Sequence, residues 1–273
     1  MSLSRGLQLV IVAALGGAAL GVAVASLRSG SSEGRASLPR TSAAGVGAVA
    51  FADPPRPAFE VPTPTPLRAS SVEWTWAPVR RAVTARSGPG PGFAAVGRVG
   101  RRTPEGTANL VLVLGREQSG EALWVRARLP VLPNNTTGWV PRSALGGYAV
   151  VRTHLLVDLG KRRATLSRNG RAVFTTDVGV GTAAFPTPTG RFYVRNKLTR
   201  YRNAFYGPVA FGTSARSAVL TDWPAGGFVG IHGTNRPELI PGRVSHGCIR
   251  LRNEAILRLA ALMPVGTPLT IRG

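Results

Sequence analysis

The stretch IHGTNRPELIPGRVSHGCIRLRN, residues 231–253, holds two of the chain's three histidines and its single cysteine. Gly233, Gly242 and Gly247 within it permit tight backbone paths. At its end the pattern changes. Asn253 reads as an N-cap and Glu254 as a first-turn acid, followed by Ile256, Leu257, Leu259, Ala260 and Met263 on one apolar helical face that stops at Pro264. The flanking sequence supplies strands for that helix to pack on. AVVRTHLLVDL (149–159) alternates in part, Asn169-Gly170 is a two-residue hairpin signal between RATLSR (163–168) and RAVFTTDVGV (171–180), and TPLTIR (267–272) closes the chain as a strand. The expected fold class is therefore mainly β, with at least one packed helix, over residues 148–273.

The same stretch concentrates chemistry. A free thiol is mostly protonated at neutral pH, and a neighbouring imidazole either stabilises the thiolate or takes the proton as attack occurs. His246 stands two residues before Cys248, so on extended chain both side chains project to one face. His232 is brought in by the intervening loop. Gly247 leaves room for a substrate carbonyl to reach the backbone N–H groups beside the sulfur. Two histidines and a cysteine also suit zinc, but no fourth ligand or second cysteine accompanies them, so a three-ligand site is the form of that reading that stays open on residue types. His154, in an alternating strand, reads as structural, and Ser245 as a hydroxyl that braces the turn. Thr234 and Asn235 read as holding the loop after His232.

Upstream, residues 72–147 break into short apolar runs between turn clusters: AVTARSGPGPGF (82–93), VGRVGRR (96–102), NLVLVLGRE (109–117), ALWVRARL (122–129) and GWVPRSAL (138–145). This pattern argues a small β-barrel-like domain, with Trp124 and Trp139 read as core. Residues 28–71 are rich in Ser, Gly, Ala and Pro, ending in PPRPAFEVPTPTP (54–66), and read as a linker. Within residues 1–27, the uncharged run Leu7–Leu27 is long enough to span a bilayer core at ~1.5 Å per residue. It reads as a membrane anchor or signal segment, with Ala23-Val24-Ala25 offering a small-residue cleavage site. Arg5 before it and Arg28, Arg35 and Arg40 after it do not by themselves place the C-terminal part outside.

The formal net charge is +22, almost all of it arginine, since Lys161 and Lys197 are the only lysines. Such a field favours polyanions. No groove-reading helix, zinc module or aromatic-studded sheet accompanies it, so nucleic acid is not the expected partner; anionic cell-envelope polymers are. One cysteine allows no intramolecular disulfide.

His-Gly-Thr (232–234), then Ser-His-Gly-Cys (245–248) followed by Ile249-Arg250, resembles the signature of the L,D-transpeptidase catalytic domain (YkuD type). GVGTAAFPTPTGRFYV (179–194) is similar to that family's Thr-Pro-Thr-Gly loop and the strand after it. The pieces of residues 72–147, with Arg86-Ser-Gly-Pro89 and Gly138-Trp-Val140, resemble a bacterial Src-homology-3-like domain. The first resemblance implies acyl transfer on peptidoglycan stem peptides. Cys248 would attack the carbonyl before the terminal D-Ala, form a thioester and hand the acyl group to an amine. It further implies His232 as base, oriented by a backbone carbonyl; an oxyanion site from N–H groups around Gly247 and Cys248; and His246 shaping the pocket. Arg250, Gly233 and Ser245 fall on the substrate side, and neither metal nor cofactor is called for. Export to the extracytoplasmic side of the envelope follows from that chemistry. Hydrolysis of the thioester by water (an L,D-carboxypeptidase), a wall cysteine peptidase and a non-catalytic wall-binding protein are the competing readings.

Overall fold

In a computed structural model of the protein, residues 72–199, 203–220 and 227–273 are described. The leader (1–27) and linker (28–71) expected above lie outside the described residues. Among those described, no helix is long and apolar enough to cross a membrane.

Seven strands form one sheet: β1 (Trp74–Pro78), β2 (Val83–Arg86), β3 (Ala95–Val99), β4 (Leu110–Ser119), β5 (Ala122–Arg128), β6 (Thr137–Pro141) and β7 (Ala149–Val151), in the order β3-β2-β6-β5-β4-β1-β7. Ten more form a second: β8 (Thr153–Asp158), β9 (Arg163–Arg168), β10 (Arg171–Asp177), β11 (Gly179–Gly181), β12 (Gly190–Leu198), β13 (Ala210–Arg216), β14 (Phe228–His232), β15 (Gly242–Ser245), β16 (Ile249–Arg250) and β17 (Pro268–Arg272). Their order is β10-β9-β8-β17-β12-β13-β14-β16-β11-β15. The mainly β expectation is met, and one helix, α1 (Asn253–Leu262), packs against the second sheet.

Local signals act where expected. Asn169 and Gly170 have φ of 51° and 77°, the left-handed pair that a two-residue turn needs to match strand twist, and β9 and β10 run antiparallel from it. β8 buries Leu155 and Val157 while Leu156 between them stays half-exposed, the period of a strand with one covered face. β13 is buried on both faces, as a central strand must be.

Two details of the helix differ from expectation. Its N-cap is Arg252, with no side-chain cap bond, because the Asn253 carboxamide is used elsewhere: Thr234 N donates to its Oδ1 at 2.9 Å. Leu257 is 49% exposed, whereas Ile256, Leu259, Ala260 and Met263 are buried. Those four recur at the i, i+3, i+4, i+7 spacing of one stripe, and Leu257 falls off it.

The expected boundary at 147/148 falls just before β7, which pairs antiparallel with β1 and so completes the first sheet before the chain enters the second. All seventeen strands lie in one compact unit. An apolar seam of Leu110, Leu112 and Tyr193, with Trp74, Trp76 and Val265 against it, joins the two sheets. Tyr193 is fully buried and its hydroxyl donates to Leu110 O at 3.1 Å. His154, read as structural, is half-buried, bonded to Thr270 Oγ1 at 2.9 Å and stacked near Trp74. Trp124 is buried in the first sheet, while Trp139 is half-exposed.

Candidate active site

β14 and β16 are parallel neighbours, with Ile231 opposite Ile249 and His232 opposite Arg250. Since side chains alternate along a strand and paired residues share a face, His232 and Arg250 project to one side, with Gly230 and Cys248 one step back on the same side. Ile231 and Ile249 project to the other side and are fully buried there. The sheet register, more than the loop between them, brings the imidazole to the thiol.

Gly230 is the blank position on that face. A Cβ there would lie 3.7 Å from His232 Cδ2 and 3.8 Å from Cys248 Sγ, so ring edge and sulfur both border the space its missing side chain leaves. Its backbone N–H donates to Cys248 Sγ at 3.4 Å.

His232 is 1% exposed, and its Nδ1 lies 2.6 Å from Gly233 O. A carbonyl only accepts, so Nδ1 carries the proton and Nε2 presents its lone pair. Nε2 is buried with no hydrogen-bond partner among the described residues. Burial pulls the His232 pKa down to about 4, against the Gly233 bond and with help from the Arg250 charge. Burial likewise pushes the Cys248 thiol up, opposed by the Gly230 N–H and by Arg250. Both shifts favour a neutral thiol beside a neutral imidazole at rest. Such a neutral pair suits proton removal during an attack by the sulfur better than a standing ion pair.

The turn that carries the sulfur is braced from within. Ser245, 1% exposed, donates from Oγ to Cys248 O at 2.5 Å and accepts from Gly247 N at 3.1 Å. It is therefore a brace of the turn, and it is not among the residues that line the cleft. Gly247 has φ of 109°, a conformation closed to other residues, and its N–H is committed to Ser245. That leaves the N–H of Cys248, which donates to nothing among the described residues, as the unused backbone donor of this turn. Gly233 also faces away from the cleft. A Cβ there would sit 2.3 Å from Asn253 Oδ1, so the glycine is a close-packing position. Thr234 Oγ1 accepts from Arg236 N at 3.0 Å, holding the loop as expected.

A cleft with about 280 Å³ of space opens over the sulfur, lined by His232, His246, Cys248 and Arg250. His246 is exposed and packs on Phe185, ring centroids 4.7 Å apart. Arg250 is 7% exposed, with its Nε buried and without a hydrogen-bond partner among the described residues. Its guanidinium lies 4.5 Å from the Phe205 ring centroid.

Sequence reading missed several residues here. Phe205 and Tyr206, presented by a short 3-10 turn capped by Asn203, and Phe228 on β14 form cleft walls. Tyr206 meets His232 edge-on at 4.8 Å. Thr187, within the Thr-Pro-Thr-Gly loop, is buried; its Oγ1 donates to Gly247 O at 2.9 Å and accepts from Gly181 N at 2.8 Å. The loop was legible as a motif, but its use as a brace for the cysteine turn was not.

Residues 152–271 match the family model described as the L,D-transpeptidase catalytic domain, YkuD. Over these residues, a little under half of its length, the chain is similar to the YkuD-type L,D-transpeptidase catalytic domain. The chain is also similar to the putative L,D-transpeptidase YkuD of Bacillus subtilis (strain 168), with 41% identity over 118 residues, 43% of this chain and 65% of that protein. The probable L,D-transpeptidase YbiS of Escherichia coli (strain K12) is 57% identical over 42 residues, 15% of this chain and 14% of that protein. The chain thus spans less than two thirds of the length of these curated relatives. Among solved structures, the catalytic domain of an Enterococcus faecium L,D-transpeptidase is 28% identical over 44% of this chain and 96% of that one, with a TM-score of 0.34.

Proposed function

We propose that the protein is a peptidoglycan L,D-transpeptidase in which Cys248 is the nucleophile and His232 the general base. The observation that carries this reading is the Nδ1–H tautomer of a buried imidazole with a bare Nε2, whose Cδ2 edge and the Cys248 sulfur both border the space at Gly230. As Cys248 Sγ bonds to the carbonyl carbon before the terminal D-Ala of a stem tetrapeptide, its proton passes to His232 Nε2. The Cys248 N–H faces the developing oxyanion. His232 then returns the proton to the departing D-Ala amine as the C–N bond breaks, leaving a thioester. An acceptor amine attacks that thioester, its proton goes to His232, and the sulfur leaves and is reprotonated. Arg250 offers a guanidinium at the cleft wall to a donor carboxylate, and His246 shapes the opening.

The same reading places the enzyme outside the cytoplasmic membrane, held there by residues 1–27 and spaced by residues 28–71, with the Src-homology-3-like residues 72–147 at the wall. Its support is the uncharged run Leu7–Leu27 and the Pro-rich stretch before Val72. The net charge of +22 suits an envelope of anionic polymers.

Intact-protein mass spectrometry with a disaccharide tetrapeptide tests the mechanism. A stem-tripeptide acyl adduct on Cys248, released D-Ala, and loss of both in Cys248→Ala are expected. A folded protein whose thiol alkylates but never takes up the stem acyl group would sink the proposal. Adding an amine acceptor then separates transfer from hydrolysis.

A further inference from the structure

Phe228, a wall of the cleft, is held by two arginines, and each of these is held by the first sheet. The Arg195 guanidinium lies over the Phe228 ring at 3.7 Å from its centroid, and that of Arg216 at 5.0 Å. Arg195 is 1% exposed. Its Nε donates to Thr213 O at 2.7 Å, and Thr213 Oγ1 donates to Val229 O, on the residue after Phe228, at 2.7 Å. Its carboxylate partner is not on the second sheet. Glu105, from the turn between β3 and β4, accepts from Arg195 at 3.2 Å and from Asn196 Nδ2 at 3.0 Å. A second link runs through the turn before β6. Asn134 exchanges both amide bonds with the backbone of Arg216, donating to its carbonyl at 2.7 Å and accepting from its N–H at 3.0 Å.

We infer that Glu105 and Asn134 of the first sheet are positioning residues for the acyl-donor cleft, acting through Arg195 and Arg216 to fix Phe228 as the platform against which the stem peptide lies. This rests on the reading of the cleft as the stem-peptide site. Alternative uses of the buried cluster fit less well. A packing role alone needs no ion pair at the domain seam, where Leu110, Leu112 and Tyr193 already exclude water. The ion pair also points at the cleft, since the stacked ring is one of its walls. A burial-raised Glu105 would be a poor anchor, but the attraction of Arg195, with bonds from Thr103 and Asn196, outweighs burial and keeps the carboxyl below its ordinary value. The link is thus charged at neutral pH.

The experiment compares the full chain with Glu105→Gln, Glu105→Asp, Asn134→Ala and Phe228→Leu, measuring two rates on Cys248: acylation by a stem tetrapeptide and alkylation by iodoacetamide, a reagent too small to use the platform. Glu105→Gln and Phe228→Leu are each expected to lower kcat/KM for the tetrapeptide about tenfold, equivalent to roughly 1.4 kcal/mol in the barrier, through KM more than kcat. Alkylation should stay within about twofold of wild type, and Glu105→Asp should recover part of the loss. Amide exchange of residues 228–232 is expected to quicken in Glu105→Gln and Asn134→Ala while that of β9 and β10 is unchanged. Equal tetrapeptide rates in wild type and in folded Glu105→Gln and Phe228→Leu would overturn the inference, as would parallel loss of both rates, which marks general damage to the fold. A wild-type protein that alkylates but takes no stem acyl group is the separate failure of the functional reading. In that case the exchange data alone decide whether the first sheet holds the cleft wall.

Discussion

Gly230→Ala separates what the fold needs from what the chemistry needs. A methyl at this position would lie 3.6 Å from Phe211 O, 3.7 Å from His232 Cδ2 and 3.8 Å from Cys248 Sγ, all ordinary van der Waals distances, and the backbone there is not left-handed. The fold therefore accepts it. Removing glycine's freedom in the unfolded chain adds about 0.4–1 kcal/mol of stability, a rise in Tm of roughly 1–4 °C for a unit of this size. The same methyl fills the space that the imidazole edge and the thiol both border, so proton transfer during attack is obstructed. General-base assistance contributes about 10²–10⁴-fold. Acylation by tetrapeptide, followed by mass spectrometry under single-turnover conditions, is expected to fall at least about 100-fold in a protein whose melting curve is unchanged or improved. A Gly230→Ala enzyme that acylates at the wild-type rate would refute the idea that this gap is the proton path. Loss of stability would instead refute the steric reading of the site.

Further expectations follow from the same geometry. The rate of acylation should hold as pH falls below the ordinary histidine value and be lost only near pH 4, because Nε2 must be neutral to act and the folded His232 protonates at about 4; a half-maximum near 6.5 in the pH profile of kcat/KM would contradict it. Since the unfolded chain takes up that proton at about 6.5, stability is fully present above that value and declines as pH drops toward 4, by roughly 3 kcal/mol; urea unfolding of His232→Leu should show a correspondingly flatter dependence over this window. Thr187→Val leaves Gly247 O and Gly181 N without their hydroxyl partner, and about 1–3 kcal/mol of stability and most activity should go together; a variant of wild-type stability and rate would remove Thr187 from the site's support. Glu105→Ala strands a buried guanidinium and should cost about 3–5 kcal/mol in unfolding measurements, whereas breaking the exposed pair Arg236 and Glu238 should cost under ~1 kcal/mol.

Much of the site was legible because its polar members are adjacent in sequence. His246, Gly247, Cys248 and Arg250 lie within five residues, and Ser245 could be read as a brace for their turn from its place before the histidine. The hairpin at Asn169-Gly170 was legible for a similar reason, since backbone sterics at two residues decide it. What escaped is long-range. Asn253 was read as a cap from its neighbours, but Thr234, nineteen positions back, claims its carboxamide. Nothing near Thr187 in sequence signals that its hydroxyl reaches Gly247, sixty positions on. Phe205, Tyr206 and Phe228 read as ordinary apolar residues until the sheet order sets them around one sulfur.

Gly230 shows why the remainder depended on register. In sequence it is one glycine among 34, two residues before a histidine. It acquires a role only because β14 and β16 pair in parallel with Ile231 opposite Ile249. Slipping that pairing by one residue would turn one of the two isoleucines toward the cleft and carry His232 and Cys248 to opposite faces. The burial of Ile231 and Ile249, each worth about 1.5–3 kcal/mol, opposes that slip. The apolar residues next to Cys248 and His232 are thus what hold thiol and imidazole on the same side, and under the proposed mechanism a polar substitution at Ile231 or Ile249 should damage acylation through register before it unfolds the chain.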